Sequence, residues 1–288
     1  MSVKYITTYI AAGYTVGSGV TELIITPTGG VGGGEILASF FLDLFNEGVV
    51  NDHVVGGAGI ELQGGGEIFN GSATYTDATI RGTIGIRVSA ATGYVTNHGT
   101  IEGGSSLYGA RGEGVALDHG GTITNGASNS RNALIEGGSA GVLISGGVAS
   151  VANFGTIESI YRQGVYLFGG GVVTNGSQSD VTALIEGPLG GVTFRSGVGV
   201  VDNYGTIESQ SDGVALYGGG SVTNGANTSP SAMITSNYGV LIAGGVGTVA
   251  NFGTIRGLGP AADAVTLAAG GLVANGSSGD AAALISGR

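Results

Sequence analysis

The chain of 288 residues contains no cysteine and no tryptophan, only 4 prolines, and a single lysine, Lys4. Without cysteine, disulfides and thiolate metal sites are excluded, and the redox compartment stays open. Charge is scarce and lopsided: Lys and Arg number 9 against 20 Asp and Glu, a net of −11. Phosphate contacts require a basic footprint, so no nucleic-acid partner is expected. An anionic membrane surface is disfavoured for the same reason. No window approaches the ~20 apolar residues of a membrane helix, so no membrane insertion is expected. The opening MSVKYITTYIAAGYTV (Met1–Val16) scatters threonine and tyrosine through its apolar stretch and does not read as a secretory signal.

Glycine, by contrast, is abundant, with 62 residues, while hydrophobic residues still reach 42%. The chain can therefore bury a core and is not a disordered low-complexity segment. Glycine follows no three-residue period, which with the shortage of proline excludes collagen.

Internal repeats dominate the remainder. VTNHGTIEG (Val95–Gly103) recurs as VANFGTIES (Val151–Ser159), VDNYGTIES (Val201–Ser209) and VANFGTIRG (Val249–Gly257). A second motif interleaves with it: ITNGASNSRNALIEG (Ile123–Gly137), VTNGSQSDVTALIEG (Val173–Gly187), VTNGANTSPSAMITS (Val222–Ser236) and VANGSSGDAAALISG (Val273–Gly287). Both are versions of one coil, marked by Asn46, Asn70, Asn97, Asn125, Asn153, Asn175, Asn203, Asn224, Asn251 and Asn275. The markers step by about 25 residues. That period is too short for a propeller blade and too rich in Gly and β-branched residues for a helical repeat. The expected fold is all-β, a parallel β-helix of about ten coils with three short strands per coil.

The first strand reads Thr-Ile-Glu or Leu-Ile-Glu. The second reads Val-x-Leu, as in Val115/Leu117, Val142/Ile144, Val165/Leu167 and Val192/Phe194. The third ends in Val-x-Asn. Alternation by two turns Val and Leu inward and leaves the variable middle residue outside. The marker asparagine, two residues after an inward valine, also points inward at a corner. Stacked amides there can hydrogen-bond to one another and to the turn backbone, a structural ladder.

Repeats of the form VxNxGTIxG resemble the passenger regions of bacterial autotransporter and haemagglutinin-like adhesins. The opening YTVGSGVTELIITPTGGVGGG (Tyr14–Gly34) is similar to the leading repeats of some of them. The resemblance covers nearly the whole chain. It implies a right-handed β-solenoid and, by association alone, an extracellular or surface rod of a bacterium.

Residues 1–45 break the period and are expected to form a capping segment and an irregular first coil, with Ile36–Phe45 covering it. Residues 46–288 are expected to form the repetitive solenoid. The chain stops at ALISGR, just after a first strand, so an open coil is expected there, available for self-association.

Chemistry is sparse. The G-x-S-x-G match at Gly137–Gly141 is expected by chance in so Gly- and Ser-rich a chain. His53, His98 and His119 have no metal-ligand spacing. His98 fills the slot held by Phe154, Tyr204 and Phe252 in sister coils, and these aromatics are expected to clamp the longer Asn-Gly insertion beside them or, if exposed, to stack on sugar rings. Aligning the first strands gives Arg81, Glu102, Glu136, Glu158, Glu186, Glu208, Thr235, Arg256 and Ser286. Five carboxylates at a coil spacing of ~4.8 Å repel by about 0.9 kcal/mol per pair even at bulk-water dielectric. Either the row is a solvated acidic face, or Ca²⁺ bridges it through oxygen ligands. The expectation is a non-enzymatic adhesin- or matrix-like rod with no bound cofactor beyond that cation and with a carbohydrate or cell-surface ligand. A self-assembling filament, cytoplasmic or otherwise, and a polysaccharide-active β-helix enzyme are the alternatives.

Overall fold

A computed structural model gives the fold and describes residues 2–104, 112–128, 130–260, 262–277 and 283–288. Every regular element among them is a β-strand. The strands fall into three sheets of twelve, twelve and eleven strands, with every third strand in chain order adjacent in space. All the strand pairs are parallel and follow coil upon coil. This is a three-walled β-solenoid.

The asparagine wall runs from Val3–Ile6 to Gly271–Asn275, the glutamate wall from Tyr9–Ile10 to Leu284–Ser286, and the valine–leucine wall from Tyr14–Thr15 to Val265–Leu267. Twelve strands in the asparagine wall exceed the ten marker asparagines. The difference lies in Val3–Ile6 and Glu22–Ile25, where Ile6 and Ile25 hold the asparagine register. Residues 3–45 thus contribute strands to all three walls, in register with the coils that follow. Ile36–Ala38 and Leu42–Asn46 each alternate inward and outward, with Ile36, Ala38, Leu42 and Leu44 fully buried in the core. The run looks continuous because two outward positions are also aromatic. Phe41 is 56% exposed at a corner, and Phe45 stacks outside on Phe69, with ring centroids 4.7 Å apart.

Inside, like residues stack upon like. Ile101, Ile135, Ile157, Ile185, Ile207, Ile234 and Ile255 form one fully buried column. Each such side chain contributes roughly 1.5–3 kcal/mol on burial. The glycine that opens each valine–leucine strand lets this column pack. A Cβ at Gly114 would come within 2.7 Å of Ile135 Cγ2, and one at Gly164 within 2.8 Å of Ile185 Cγ2.

The middle residues of Val-x-Leu point outward, yet Ala116, Thr193 and Ala215 are at most 5% exposed. Ala116 sits between the larger Arg87 and Leu143 one coil away on either side, Ala215 between Thr193 and Leu241, and Thr193 beside Tyr166. At a spacing of ~4.8 Å a larger neighbour overhangs a smaller one.

Candidate functional site

Three features of the rod surface and corners could serve function, and the marker asparagines set the frame for them. Asn70, Asn97, Asn125, Asn153, Asn175, Asn203, Asn224 and Asn251 are fully buried. From Asn46 each Nδ2 donates to the Oδ1 of the next, at 2.7–2.9 Å in nine successive bonds ending on Asn275. The same Nδ2 reaches a backbone carbonyl of the following coil, as Asn153 does to Leu184 at 2.9 Å. The ladder is thus a one-directional chain of amides inside a corner. Asn275, the last of the chain, is exposed.

The glutamate wall brings Glu102, Glu136, Glu158, Glu186 and Glu208 into one register, preceded by Arg81 and followed by Thr235, Arg256 and Ser286. Arg81 closes one end through a two-point contact with Glu102, Nε to Oε2 at 2.7 Å and Nη2 to Oε1 at 2.9 Å. Burial, followed by the charges of Glu136 and Glu186, pushes the Glu158 carboxyl above the usual carboxylate range. The row is a line rather than a cluster. Among the described residues no three His, Asp or Glu side chains are grouped to hold a metal ion. In-register side chains project in parallel, so neighbours approach pairwise and never converge on one point. Beside Glu186 and Glu208 the wall opens into a shallow groove with Ser209, Gln210 and Thr235.

The other sequence candidates are dispersed. Ser139 of the G-x-S-x-G match lies in the corner between Leu134–Gly137 and Ala140–Ile144, with no helix after it. Phe154, Tyr204 and Phe252 are half-buried rather than exposed, as is His98. His98 borders an open groove of about 330 Å³ with Phe45, Phe69 and Ser72, and burial lowers its pKa. The two phenyl rings are stacked within 4° of parallel, so each covers one face of the other.

Alternate coils carry a longer loop after the asparagine, each closed by a reciprocal backbone pair: Ser72 with Tyr75, Ala127 with Ser130, Ser177 with Asp180, and Ala226 with Ser229. These loops touch across two coils. Arg131 reaches the buried Asp180 at 3.2 Å, Thr228 donates to Gln178 at 3.3 Å, and Ser277 donates to Asn227 at 3.1 Å.

The sequence reading missed the outer face of the asparagine wall. Over the eight strands from Gly93–Asn97 to Gly271–Asn275 it carries two outward columns and one charge, Asp202. One column begins at Tyr94 and ends at Leu272, and the other runs from Thr96 to Ala274. Beside them, at the corner from the valine–leucine wall, longer and shorter turns alternate. Val148, Val198 and Val246 end the longer ones and are 77%, 63% and 71% exposed. The signal lay in the sequence as SGGVAS, RSGVGV and AGGVGT, but only the register shows that these valines share an edge.

No family model, no curated protein and no solved structure matches the chain.

Proposed function

We propose that the chain is a structural and binding rod, adhesin- or matrix-like, which works at a bacterial surface without catalysing a reaction and presents its walls to a carbohydrate or cell-surface ligand. The observation that carries this reading is the repetition of side chains along the axis. The acidic row Glu102–Glu208 occupies one wall, with one carboxylate per coil. Such an array meets a polymer or a cell surface at many equivalent points, and weak contacts then add through effective concentration. The adhesin-like repeats agree with it.

The test is genetic and biochemical. Deleting the gene should reduce surface attachment or matrix, and the purified rod should pellet with the producing cells. Unchanged attachment together with no pelleting would overturn the proposal.

A filament built by end-to-end stacking is the second reading. It is favoured by the ladders, which repeat in one direction from coil to coil and which a coil of another copy can extend. Electron microscopy over a concentration series separates the two: long threads one solenoid wide support the filament, and discrete rods support the binding module. A polysaccharide-active enzyme would use Glu186 and Glu208 beside their groove, and release of reducing ends, abolished in Glu208→Gln, would establish it in place of both.

A further inference from the structure

The geometry points to a second copy of this chain as the partner of the asparagine wall, docked antiparallel about a two-fold axis between Val172 and Val200. This pairing is lateral, so it is independent of the ligand-binding reading and of end-to-end growth.

The edge column supplies the first reason. Backbone bonds from Gly121 to Val148, Ala149 to Gly170, Gly171 to Val198, Gly199 to Gly219 and Gly220 to Val246 place valine and glycine alternately along one corner. The glycines are fixed by the turns: Gly120 and Gly219 have φ of +73° and +81°, and a Cβ at Gly170 would meet the Val198 carbonyl oxygen at 2.8 Å. The valines have no such reason, since side chains this exposed add little to the core. Teeth therefore stand two coils apart, ~9.6 Å, with a gap between them. A partner of different rise loses step within a few coils, whereas a second copy keeps it along the whole edge. Displaced by one coil, it drops each tooth into a gap: Val148 opposite Gly219, Val198 opposite Gly170, and Val246 opposite Gly120.

The same axis organises the two outward columns. In the first it sets Val172 against Val200, Ser150 against Ser221, Thr122 against Thr248, and Tyr94 against Leu272. Apolar meets apolar, and hydroxyl meets hydroxyl. In the second it sets Thr96 against Ala274, Thr124 against Ala250, and Ala152 against Thr223, so a branched side chain always faces a methyl. The one charge, Asp202, faces Thr174, whose hydroxyl can donate to the carboxylate, twice by symmetry. An isologous interface requires this self-complementarity.

Charge and area agree. The net −11 of the chain opposes self-association in general, but the acidic row lies on a different wall. Eight five-residue strands give a face of ~38 by ~16 Å, about 600 Å² before the valine edge is added. This approaches the ~800 Å² per partner of a standard interface.

Sedimentation equilibrium of the intact chain between 1 and 100 µM should show a monomer–dimer equilibrium. Val198→Asp should weaken it at least tenfold with circular dichroism and melting unchanged, because Val198 is exposed in the monomer. A monomer throughout that range, or a dimer indifferent to Val198→Asp, would overturn the proposal. Register is checked separately. The chain has no cysteine, so an equimolar mixture of Ser150→Cys and Ser221→Cys chains treated with oxidised glutathione should give the mixed disulfide dimer. Preferential formation of either homodimer would exclude this axis.

Discussion

At the scale of single residues the asparagine ladder carries the sharpest consequence. Asn153 accepts from Asn125 Nδ2 at 2.9 Å, and its own Nδ2 donates to Asn175 Oδ1 at 2.8 Å, Gly155 O at 3.1 Å and Leu184 O at 2.9 Å. Replacing it by alanine leaves buried groups on two neighbouring coils short of partners. A loss of roughly 2–4 kcal/mol is expected in urea unfolding, since each stranded buried group costs about 1–3 kcal/mol. Asn46→Ile should cost less, because its register already continues as Ile25 and Ile6. If both substitutions cost the same, the ladder does not act as a connected chain. In the hydrophobic column Phe194 is the largest fully buried side chain. Phe194→Ala should cost about 3–5 kcal/mol in the same measurement. Room for the ring comes from Gly199, whose Cβ would lie 2.9 Å from the Phe194 ring.

At the scale of the wall the acidic row makes stability depend on pH in an unusual direction. The Glu158 carboxyl is raised by burial and then by Glu136 and Glu186. Glu35, Asp52, Glu113 and Asp212 are also raised, chiefly by burial. A carboxylate whose folded pKa lies above its unfolded value stabilises the fold fully below the unfolded value, ~4, and that stabilisation is lost as pH rises through the folded value. His98, lowered by burial, acts the other way: its contribution is present above ~6.5 and lost on acidification. His98 titrates at the higher pH and the five carboxylates nearer ~4, so the melting temperature should rise on acidification between pH 5.5 and pH 4. Added salt at pH 8 should raise it too, by screening the row. Glu158→Gln should stabilise by about 0.5 kcal/mol at pH 8, a figure discounted for solvent screening of a partly exposed group, and should flatten the pH profile. A melting temperature that falls on acidification between pH 5.5 and pH 4 in the wild type would refute this account of the row.

The whole molecule behaves as a one-dimensional stack, in which each coil contacts chiefly the coils before and after it. Its true period is two coils, because the long loops after Asn70, Asn125, Asn175 and Asn224 touch every second coil. Deleting residues 154–203 joins equivalent positions and keeps the alternation, so the shortened rod should fold cooperatively. Deleting residues 154–175 removes one coil and sets two long loops side by side. It should melt lower than the two-coil deletion, although it leaves more of the chain in place. Thermal unfolding of the two variants decides the point.

Much of this was legible in the residues. The Ile of -TIE-, the Val and Leu of Val-x-Leu and the marker asparagines each name an inward column, because a two-residue period admits only one face for them. The glutamate row followed from the same alignment. Legibility failed where an equivalent position changed chemistry: Ile6 and Ile25 stand in the asparagine register, and Lys4 stands opposite Leu23 in the inward column. No repeat search joins lysine and isoleucine to valine and asparagine, so the strands of residues 1–45 are not legible as repeats. Exposure failed for a different reason. Ala116 and Thr193 point outward and are nevertheless buried, because shading depends on the residue one coil away, some 25 positions along the chain. Local alternation therefore determined the solenoid, its columns and its acidic row. Only the tertiary register decided which corners align, which wall carries a single charge over eight coils, and that the valines of alternate turns form one edge, because side chains distant in sequence meet only after the coils have stacked.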